Sequence, residues 1–171
     1  MHNIYRANIS HAKLLSELTK TTFLVPHGHS APKEEIDKYT DKNFNIKKLK
    51  EELSDSNNMY HLIEYNGEIA GFSKIVLNQK NENLASHNTA MLSRIYLLEK
   101  FYDLSLGKTL FKFNINLVKE NNQLGIWLAV WVENYRAISF YKKMGFEKIG
   151  DYDFIISENH SNPNHILYLE F

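Results

Sequence analysis

A glycine-lysine pair, Gly107-Lys108, stands where an apolar, strand-like segment gives way to a segment with helical spacing. The stretch YDLSLGKTL (102–110) follows MLSRIYLL and opens KTLFKFNINLVKE, in a chain with only seven glycines. A loop that ends at a helix N-terminus presents unpaired backbone N–H groups and the positive end of the helix dipole, which suit a phosphate or pyrophosphate. Glycine lets a ligand approach the backbone, and lysine adds a mobile charge. The stretch indicates phosphate binding or plain turn chemistry.

Other nucleotide and metal chemistries are excluded by the residues that the chain lacks. Neither GxxxxGK[ST] nor GxGxxG occurs, so neither common nucleotide-binding loop is present. The chain has no cysteine, which excludes a disulfide scaffold, a thiolate nucleophile and Cys-ligated zinc. His27 and His29 could form half of a metal site, but neither cysteine nor a helical histidine pair completes it. We expect a loop with two histidines and no metal.

The charge pattern argues against nucleic acid and membrane partners. Twenty Lys and Arg balance twenty Asp and Glu, and only three of the cations are arginine, the residue best suited to bidentate contacts with phosphates and bases. The segment MHNIYRANIS lacks the apolar core of a signal peptide. The longest strongly apolar run, IWLAVWV (126–132), is far shorter than the roughly 20 residues that cross a bilayer. We expect a cytoplasmic protein.

Hydrophobic periodicity predicts one mixed α/β domain that spans residues 1–171. Asn66-Gly67 separates two strand-like runs and predicts a two-residue type I′ turn, while Ser10 is the expected cap of the first helix. The predicted strands are NIYRANI (3–9), MYHLIEY (59–65), EIAGFSKIVL (68–77), TAMLSRIYLL (89–98), IWLAVWV (126–132), FEKIGDYDF (146–154) and HILYLEF (165–171). The predicted helices are HAKLLSELTKTTF (11–23), one or two short solvent-facing helices after a loop within 23–56, KTLFKFNINLVKE (108–120) and ENYRAISFYKKM (133–144).

A second motif, NYRAISFYKKMGF (134–146), strongly resembles the closing motif of the GNAT superfamily of acetyl-CoA-dependent N-acetyltransferases. The matching positions are Asn134, Ala137, Phe140, Tyr141, Gly145 and Phe146. The resemblance extends to SRIYLLEKFYDLSLGKTLF, and across most of the chain to the bacterial spermidine/spermine N-acetyltransferases of the PaiA type. It implies the GNAT fold, an α/β (α+β) architecture. That fold has a central mixed, mostly antiparallel twisted sheet of six to seven strands, flanked by about four helices.

The resemblance implies that acetyl-CoA is the co-substrate and indicates the residues that bind it. The pyrophosphate loop corresponds to Tyr102, Asp103, Leu104, Ser105, Leu106, Gly107 and Lys108. The backbone of Ile95, Tyr96 and Leu97 would pair with the pantetheine amides as if they were another strand. The side chain of Asn134 would contact the same arm, and Lys143 would point toward the phosphates.

The loop departs from the family pattern at Tyr102, where relatives carry Gln or Arg, and at Ser105, where they carry glycine. If Ser105 adopts a left-handed conformation, the strain costs roughly 1 to 2 kcal/mol. Its hydroxyl could donate to a phosphate oxygen and offset part of that cost. Because the N–H donors belong to the backbone, we expect reshaped or weakened binding of coenzyme A and not its loss.

The chemistry that the resemblance implies is direct attack of an amine on the acetyl thioester. Tyr141 is the expected general acid for the leaving thiolate. The attacking amine must also lose a proton, but Ser93 stands where many relatives place a carboxylate. The general base that removes this proton could be Glu64, His61, Glu133 or a chain of water molecules.

The favoured acceptor is a small-molecule primary amine, with a polyamine such as spermidine or spermine first. Glu34, Glu35, Asp37 and Asp41 could form an acidic wall for a polycation, although interleaved lysines fit a solvated helix face equally well. The alternatives are acetylation of a protein or peptide, and a non-catalytic acyl-CoA sensor. Neither nucleic acid nor a membrane is an expected partner, and a homodimer is compatible with the sequence. Arg94 pairs with a carboxylate or lies at a sheet edge.

Overall fold

The computed structural model describes residues 1–171 and contains one seven-stranded sheet. The strands are β1 (His2–Arg6), β2 (Asn58–Tyr65), β3 (Glu68–Val76), β4 (Ala90–Leu97), β5 (Gly125–Trp131), β6 (Glu147–Ile155) and β7 (Ser161–Glu170). Their order in the sheet is β1-β2-β3-β4-β5-β7-β6. Every neighbouring pair is antiparallel except β4 and β5, which are parallel. The predicted strands and the mixed, mostly antiparallel sheet are confirmed.

Five helices pack on the two faces of the sheet. They are α1 (Ala12–His27), α2 (Lys33–Asn43), α3 (Ile46–Ser54), α4 (Leu106–Glu120) and α5 (Tyr135–Lys143). Residues of α1, α2 and α3 share a core with β2 and β3 on one face, around Leu15, Ile36 and Leu49. Residues of α4 and α5 build the core of the other face, around Phe111 and Tyr141. The loop from 102 to 108 therefore reaches the sheet on the α4 side.

The first helix differs from its prediction at both ends. Asn8, and not Ser10, is the cap: its side chain accepts a hydrogen bond from the backbone of Ser10 and opens a single 3-10 turn that precedes α1. α1 then continues past Phe23 and through Pro26 to His27. Pro26 lacks the N–H that would bond to the carbonyl of Thr22, but it lies in the last turn, so only this hydrogen bond near the end of the helix is lost. The ring of His27 also stacks on that of Phe23, with centroids 4.6 Å apart.

The hairpin between β2 and β3 forms as predicted, and β4 contains an irregularity that the sequence does not signal. Asn66 and Gly67 have φ angles of 50° and 85°, as a type I′ turn requires. Between β3 and β4 the register passes from Lys74↔Arg94 to Ile75↔Leu92. Ser93 is therefore an extra residue in β4, a β-bulge that bends the strand.

No helix combines the length and the apolar composition that crossing a membrane requires. The longest strongly apolar segment of the sequence is β5, whose residues lie inside the sheet between β4 and β7. Ile126, Leu128 and Val130 face the core around Phe111 and Tyr141. Trp127 and Trp131, on the other face, are also buried, which explains why apolar and polar residues do not alternate in this segment.

A buried ion cluster ties α3 to the centre of the sheet. A single carboxylate oxygen of Glu52 accepts hydrogen bonds from Lys74 Nζ at 2.9 Å and from Arg94 Nη1 at 3.0 Å. The hydroxyl of Tyr60 also donates to it. Burial alone raises the pKa of Glu52, but the charges of Arg94 and Lys74 outweigh burial and bring that pKa down to about 2. Of the two alternatives that the sequence left open for Arg94, the structure shows the first: Arg94 pairs with the carboxylate of Glu52.

Glu52→Gln is expected to lower the free energy of unfolding by about 3 kcal/mol at neutral pH, because it leaves two buried cations without their counter-charge. The folded-state pKa of about 2 lies below the ordinary value of 4.5. The stabilisation is therefore present above pH 4.5 and is lost as the pH falls toward 2. We would measure thermal or urea unfolding between pH 4.5 and about 2. The free energy of unfolding should fall less steeply with decreasing pH in the variant than in the parent protein. Glu51→Gln, a control at an exposed neighbour, should change little, and equal effects of both substitutions would contradict this account.

Candidate active site

The central feature of the site is the divergence of β4 and β5. These strands pair only at their beginnings, with Ala90 opposite Ile126 and Met91 opposite Trp127. Beyond that point the bulge at Ser93 turns β4 away, while β4 stays paired with β3 as far as Leu97. Alternate N–H and C=O groups of β4 therefore face the gap without a strand partner. Ile95, Tyr96 and Leu97 lie on this open edge, where an extended, amide-bearing ligand could pair with them.

A cavity of about 530 Å³ occupies the gap between the two strands. Its size is typical of a small-molecule site. Its walls come from both strands, from the end of α1, from α2 and from β6. The predicted residues among its lining are Ile95, Tyr96, Asn134 and Tyr141. Residues that the sequence analysis did not single out for the site, and that also line it, include Phe23, Tyr39, Phe44, Trp131, Tyr152 and Phe154.

The loop at the start of α4 has free backbone donors. Ser105, the residue before the helix, has φ 58° and ψ 10°, and its side chain makes no capping hydrogen bond. Ser105 therefore has the left-handed conformation that the sequence analysis considered as a condition, together with its strain. The first backbone N–H that bonds back into the helix is that of Thr109, to Ser105 O at 3.0 Å. The N–H groups of Leu106, Gly107 and Lys108 thus remain available to an anion.

Space above Gly107 supports the same use of this loop. A Cβ atom added there would meet only Leu97 Cδ1, at 3.6 Å, and the residue has no positive φ angle. Neither backbone conformation nor packing within the protein requires glycine at this position. This open space adjoins a residue whose own N–H is free, so the residues present fit the pyrophosphate of coenzyme A.

An arginine that sequence reasoning missed joins this loop to α5. Arg136 stacks on the ring of Tyr102, 4.4 Å from its centroid, and its Nη2 lies 3.7 Å from the carboxylate of Asp103. Tyr102, which replaces the Gln or Arg of relatives, therefore holds a guanidinium beside the loop. Lys108 is exposed at the first turn of α4, whereas Lys143 is exposed at the far end of α5. The sequence does contain one indication of Arg136: it is one of only three arginines in the chain, and it lies within the motif at 134–146.

Asn134 begins α5 and has a structural role in the protein itself. Its side-chain oxygen accepts a hydrogen bond from the backbone N–H of Ala137 at 3.2 Å, which caps the helix. The residue also lines the cavity. Because capping uses only the oxygen, the side-chain NH₂ group is left to donate to a ligand in the gap.

Tyr141 lies in α5 with its ring in the core and its hydroxyl toward the cavity. The ring packs among Phe111, Phe140 and Phe146, with centroids 5.4 to 6.3 Å away. The hydroxyl has no hydrogen-bond partner in the protein, yet it is not among the fully enclosed polar atoms. Burial, followed by the nearby hydroxyl of Tyr96, raises the pKa of Tyr141 well above its ordinary range. The side chain is therefore protonated at neutral pH.

Three of the predicted bases lie away from the cavity. His61 is buried against Phe113 with ring centroids 4.8 Å apart, and burial lowers its pKa to about 4. Glu64 accepts a hydrogen bond from the hydroxyl of Tyr5 at 3.0 Å, and Glu133 is exposed. Ser93 does line the cavity. No carboxylate is hydrogen-bonded to the Tyr141 hydroxyl, and the one acidic residue that lines the cavity is Glu82, which is exposed.

The acidic residues of α2 are engaged with other side chains. Lys33, Lys38 and Lys20 form ion pairs with Asp37, Glu34 and Asp41, respectively. Glu35 accepts hydrogen bonds from Ser157 and His160. These contacts match the solvated helix face that the interleaved lysines suggested. His27 and His29 both lie near Trp131, and no group of residues able to hold a metal ion forms.

The gap between the parallel strands β4 and β5 and the free N–H groups at the start of α4 fit an extended ligand that carries phosphate. The chain belongs to the Acetyltransferase (GNAT) family, whose sequence profile matches residues 14–146. It is an N-acetyltransferase, and acetyl-CoA is its co-substrate.

Three known proteins are similar to this chain in sequence or in fold. The uncharacterized N-acetyltransferase in the pepI 3′ region of Lactobacillus delbrueckii subsp. lactis is 27% identical over 142 residues, which cover 83% of this chain and 82% of that protein. The spermine/spermidine N(1)-acetyltransferase of Bacillus subtilis is 28% identical over 91 residues, or 53% of this chain and 60% of that protein. The crystal structure of PaiA N-acetyltransferase from Thermoplasma acidophilum, in complex with coenzyme A, has a TM-score of 0.79 at 19% identity and covers 100% of this chain and 99% of that one.

Gly107→Ala is expected to weaken coenzyme A binding about tenfold or more, because the new methyl group occupies the space over the free N–H groups. The fold should be unharmed, and the helix should gain up to about 1 kcal/mol from the better helix former. Calorimetric titration with coenzyme A and thermal unfolding separate the two effects. Asn116→Ala, on the exposed side of α4, is the matched control and should leave affinity unchanged. Unaltered affinity in Gly107→Ala would show that the ligand does not approach this backbone.

Proposed function

We propose that the protein acetylates a primary amine of a small molecule by direct attack on acetyl-CoA, with Tyr141 as the general acid. The observation that carries this proposal is the gap between β4 and β5, which has an unpaired strand edge on one side and the Tyr141 hydroxyl within it. A cavity of about 530 Å³ suits a small molecule better than a peptide, which would need an extended groove.

The backbone and the loop would position the donor for this reaction. The free N–H groups of Leu106, Gly107 and Lys108 would hold the pyrophosphate. The open edge of β4 and the NH₂ group of Asn134 would hold the pantetheine amides. Together these contacts would place the thioester beside Tyr141, and such fixed placement supplies much of the rate gain in a two-substrate reaction.

Proton transfer must balance between nitrogen and sulfur. As the C–N bond forms and the C–S bond breaks, nitrogen loses a proton and the thiolate gains one. Tyr141 would donate its proton to sulfur, and the proton released from nitrogen would restore the hydroxyl through solvent. Because burial raises the pKa of Tyr141, the tyrosinate is costly and is reprotonated at once. The hydroxyl would therefore act mainly through the hydrogen bond that it gives to the developing thiolate.

Spermidine is the first acceptor to test. The support for it is the resemblance to PaiA-type enzymes and the matching segment of the Bacillus subtilis relative. We would measure free thiol release from acetyl-CoA by the purified protein, with spermidine, with other amines and without any amine. Amine-dependent release supports the proposal, and the amine that gives it defines the acceptor. Release that is equal with and without every amine would reject amine acetylation.

Tyr141→Phe is expected to reduce kcat about a hundredfold or more, since a positioned general acid contributes factors of that order. Affinity for coenzyme A should stay the same, because the hydroxyl bonds to nothing in the protein and the ring packing is retained. The midpoint of thermal unfolding should also stay within about a degree or two of the parent.

Tyr135→Phe provides the matched control, because Tyr135 lies on the same helix but is 76% exposed. It should retain full turnover. If Tyr141→Phe also retains full turnover, another group protonates the thiolate, and the assignment of the general acid is wrong.

A further inference from the structure

Arg94 presents unused hydrogen-bond donors to the cavity. Only its Nη1 is engaged within the protein, where it donates to Glu52 and to the hydroxyl of Tyr60. Nε and Nη2 make no hydrogen bond to the protein, although the side chain is only 14% exposed and lines the cavity. These nitrogens are adjacent corners of one planar fork, the geometry that accepts both oxygens of a carboxylate.

The surrounding contacts hold this fork in place. The guanidinium carbon lies 5.0 Å from the centre of the Phe44 ring, on which the group stacks. Glu52 and Tyr60 fix one end through Nη1. A guanidinium restrained in this way loses little conformational freedom when it binds an anion, so more of the interaction is expressed as affinity.

The cavity has an excess of positive charge where the acceptor would bind. Glu52 is shared by Lys74 and Arg94, so one carboxylate faces two cations and one positive charge is left over. The other charged residues in the lining, Lys80 and Glu82, are exposed at its edge and have opposite signs. His27 is neutral at neutral pH, because burial lowers its pKa to about 4.

The remaining wall of the cavity is aromatic. Phe23 stacks on Tyr39 with centroids 5.4 Å apart, and Tyr39 contacts Phe154 at 5.5 Å. Trp131 also lines the cavity and lies beside His27, which stacks on Phe23. Such a wall favours a flat, apolar body. A polycation could also contact the aromatic faces, but it would meet the like charge of Arg94.

We propose that the acceptor is an amine that carries a carboxylate and an aromatic body, with the carboxylate bound by Nε and Nη2 of Arg94. This inference rests on the proposed function, because it names the substrate class of the same site. It assigns Arg94 to specificity and leaves the acetyl transfer to the groups described above.

The test compares amines that differ only in the carboxylate. Tryptophan and tryptamine, and phenylalanine and phenethylamine, are offered with acetyl-CoA, and kcat/KM is measured for each from thiol release. We expect the carboxylate-bearing member of each pair to be favoured roughly ten- to a hundredfold, the range for a charge-assisted pair of hydrogen bonds. Spermidine is measured beside them.

Arg94→Gln should abolish this preference, because kcat/KM for the amino acids falls ten- to a hundredfold further than kcat/KM for tryptamine and phenethylamine. Any loss that both members of a pair share reports the bond between Arg94 and Glu52, which holds β4. The readout is the ratio of kcat/KM within each pair, which a general loss of folded or acetyl-CoA-binding protein does not change, so instability cannot imitate the result. Lys74→Met, which removes the other cation of the cluster but not the fork, is the matched control and should keep the preference.

The outcomes separate the two proposals. A preference for spermidine or for the amines without a carboxylate overturns the assignment of Arg94 and leaves amine acetylation standing. If the preference for the carboxylate-bearing amines persists in Arg94→Gln, the assignment of Arg94 is also overturned. Thiol release that no amine stimulates rejects the proposed function itself, and with it this inference.

Discussion

The backbone of β4 sets the main constraint on this molecule, because it must satisfy its hydrogen bonds on one side and leave them open on the other. Pairing with β3 continues to Leu97, while pairing with β5 ends at Met91. The extra residue Ser93 makes this possible, since a bulge bends and twists the strand that contains it. Unpaired backbone groups inside a protein are costly unless something binds them. The open edge is therefore both the weak point of the sheet and its means of holding an amide-bearing ligand.

The ion cluster around Glu52 explains how β4 can diverge without fraying. Arg94 follows the bulge directly, and its bond to Glu52 links β4 to α3, while Lys74 links β3 to the same oxygen. A buried pair of this kind adds little net stability compared with apolar packing, but it fixes geometry. Here it fixes the direction of the strand immediately after the bulge. The same arginine then presents its remaining donors to the cavity, so positioning of the strand and recognition of a ligand share one side chain.

Much of this arrangement could be predicted from local sequence, because periodicity and turn chemistry act over a few residues. The strands, the turn at Asn66-Gly67 and the helix that follows Gly107 formed as expected. The left-handed conformation considered for Ser105 is present. Features that depend on distant partners could not be predicted. Glu52 lies 42 residues from Arg94, and the aromatic wall gathers residues from α1, α2, β5 and β6. The end of α1 was missed because Pro26 normally indicates a break, whereas the contact between His27 and Phe23 extends the helix.

The absence of a carboxylate near Tyr141 is less of an obstacle to catalysis than it first looks. A general base is needed only if the amine binds as an ammonium ion. Transfer into a cavity lined by aromatic rings penalises the charged form and lowers the pKa of the bound amine. The excess positive charge of Arg94 acts in the same direction, unless an anionic group on the acceptor neutralises it. The proton can then leave to solvent as the amine enters, before acetyl transfer. A cavity whose only acidic lining residue, Glu82, is exposed would thus disfavour a polycation and deliver the amine in its nucleophilic form by one physical effect.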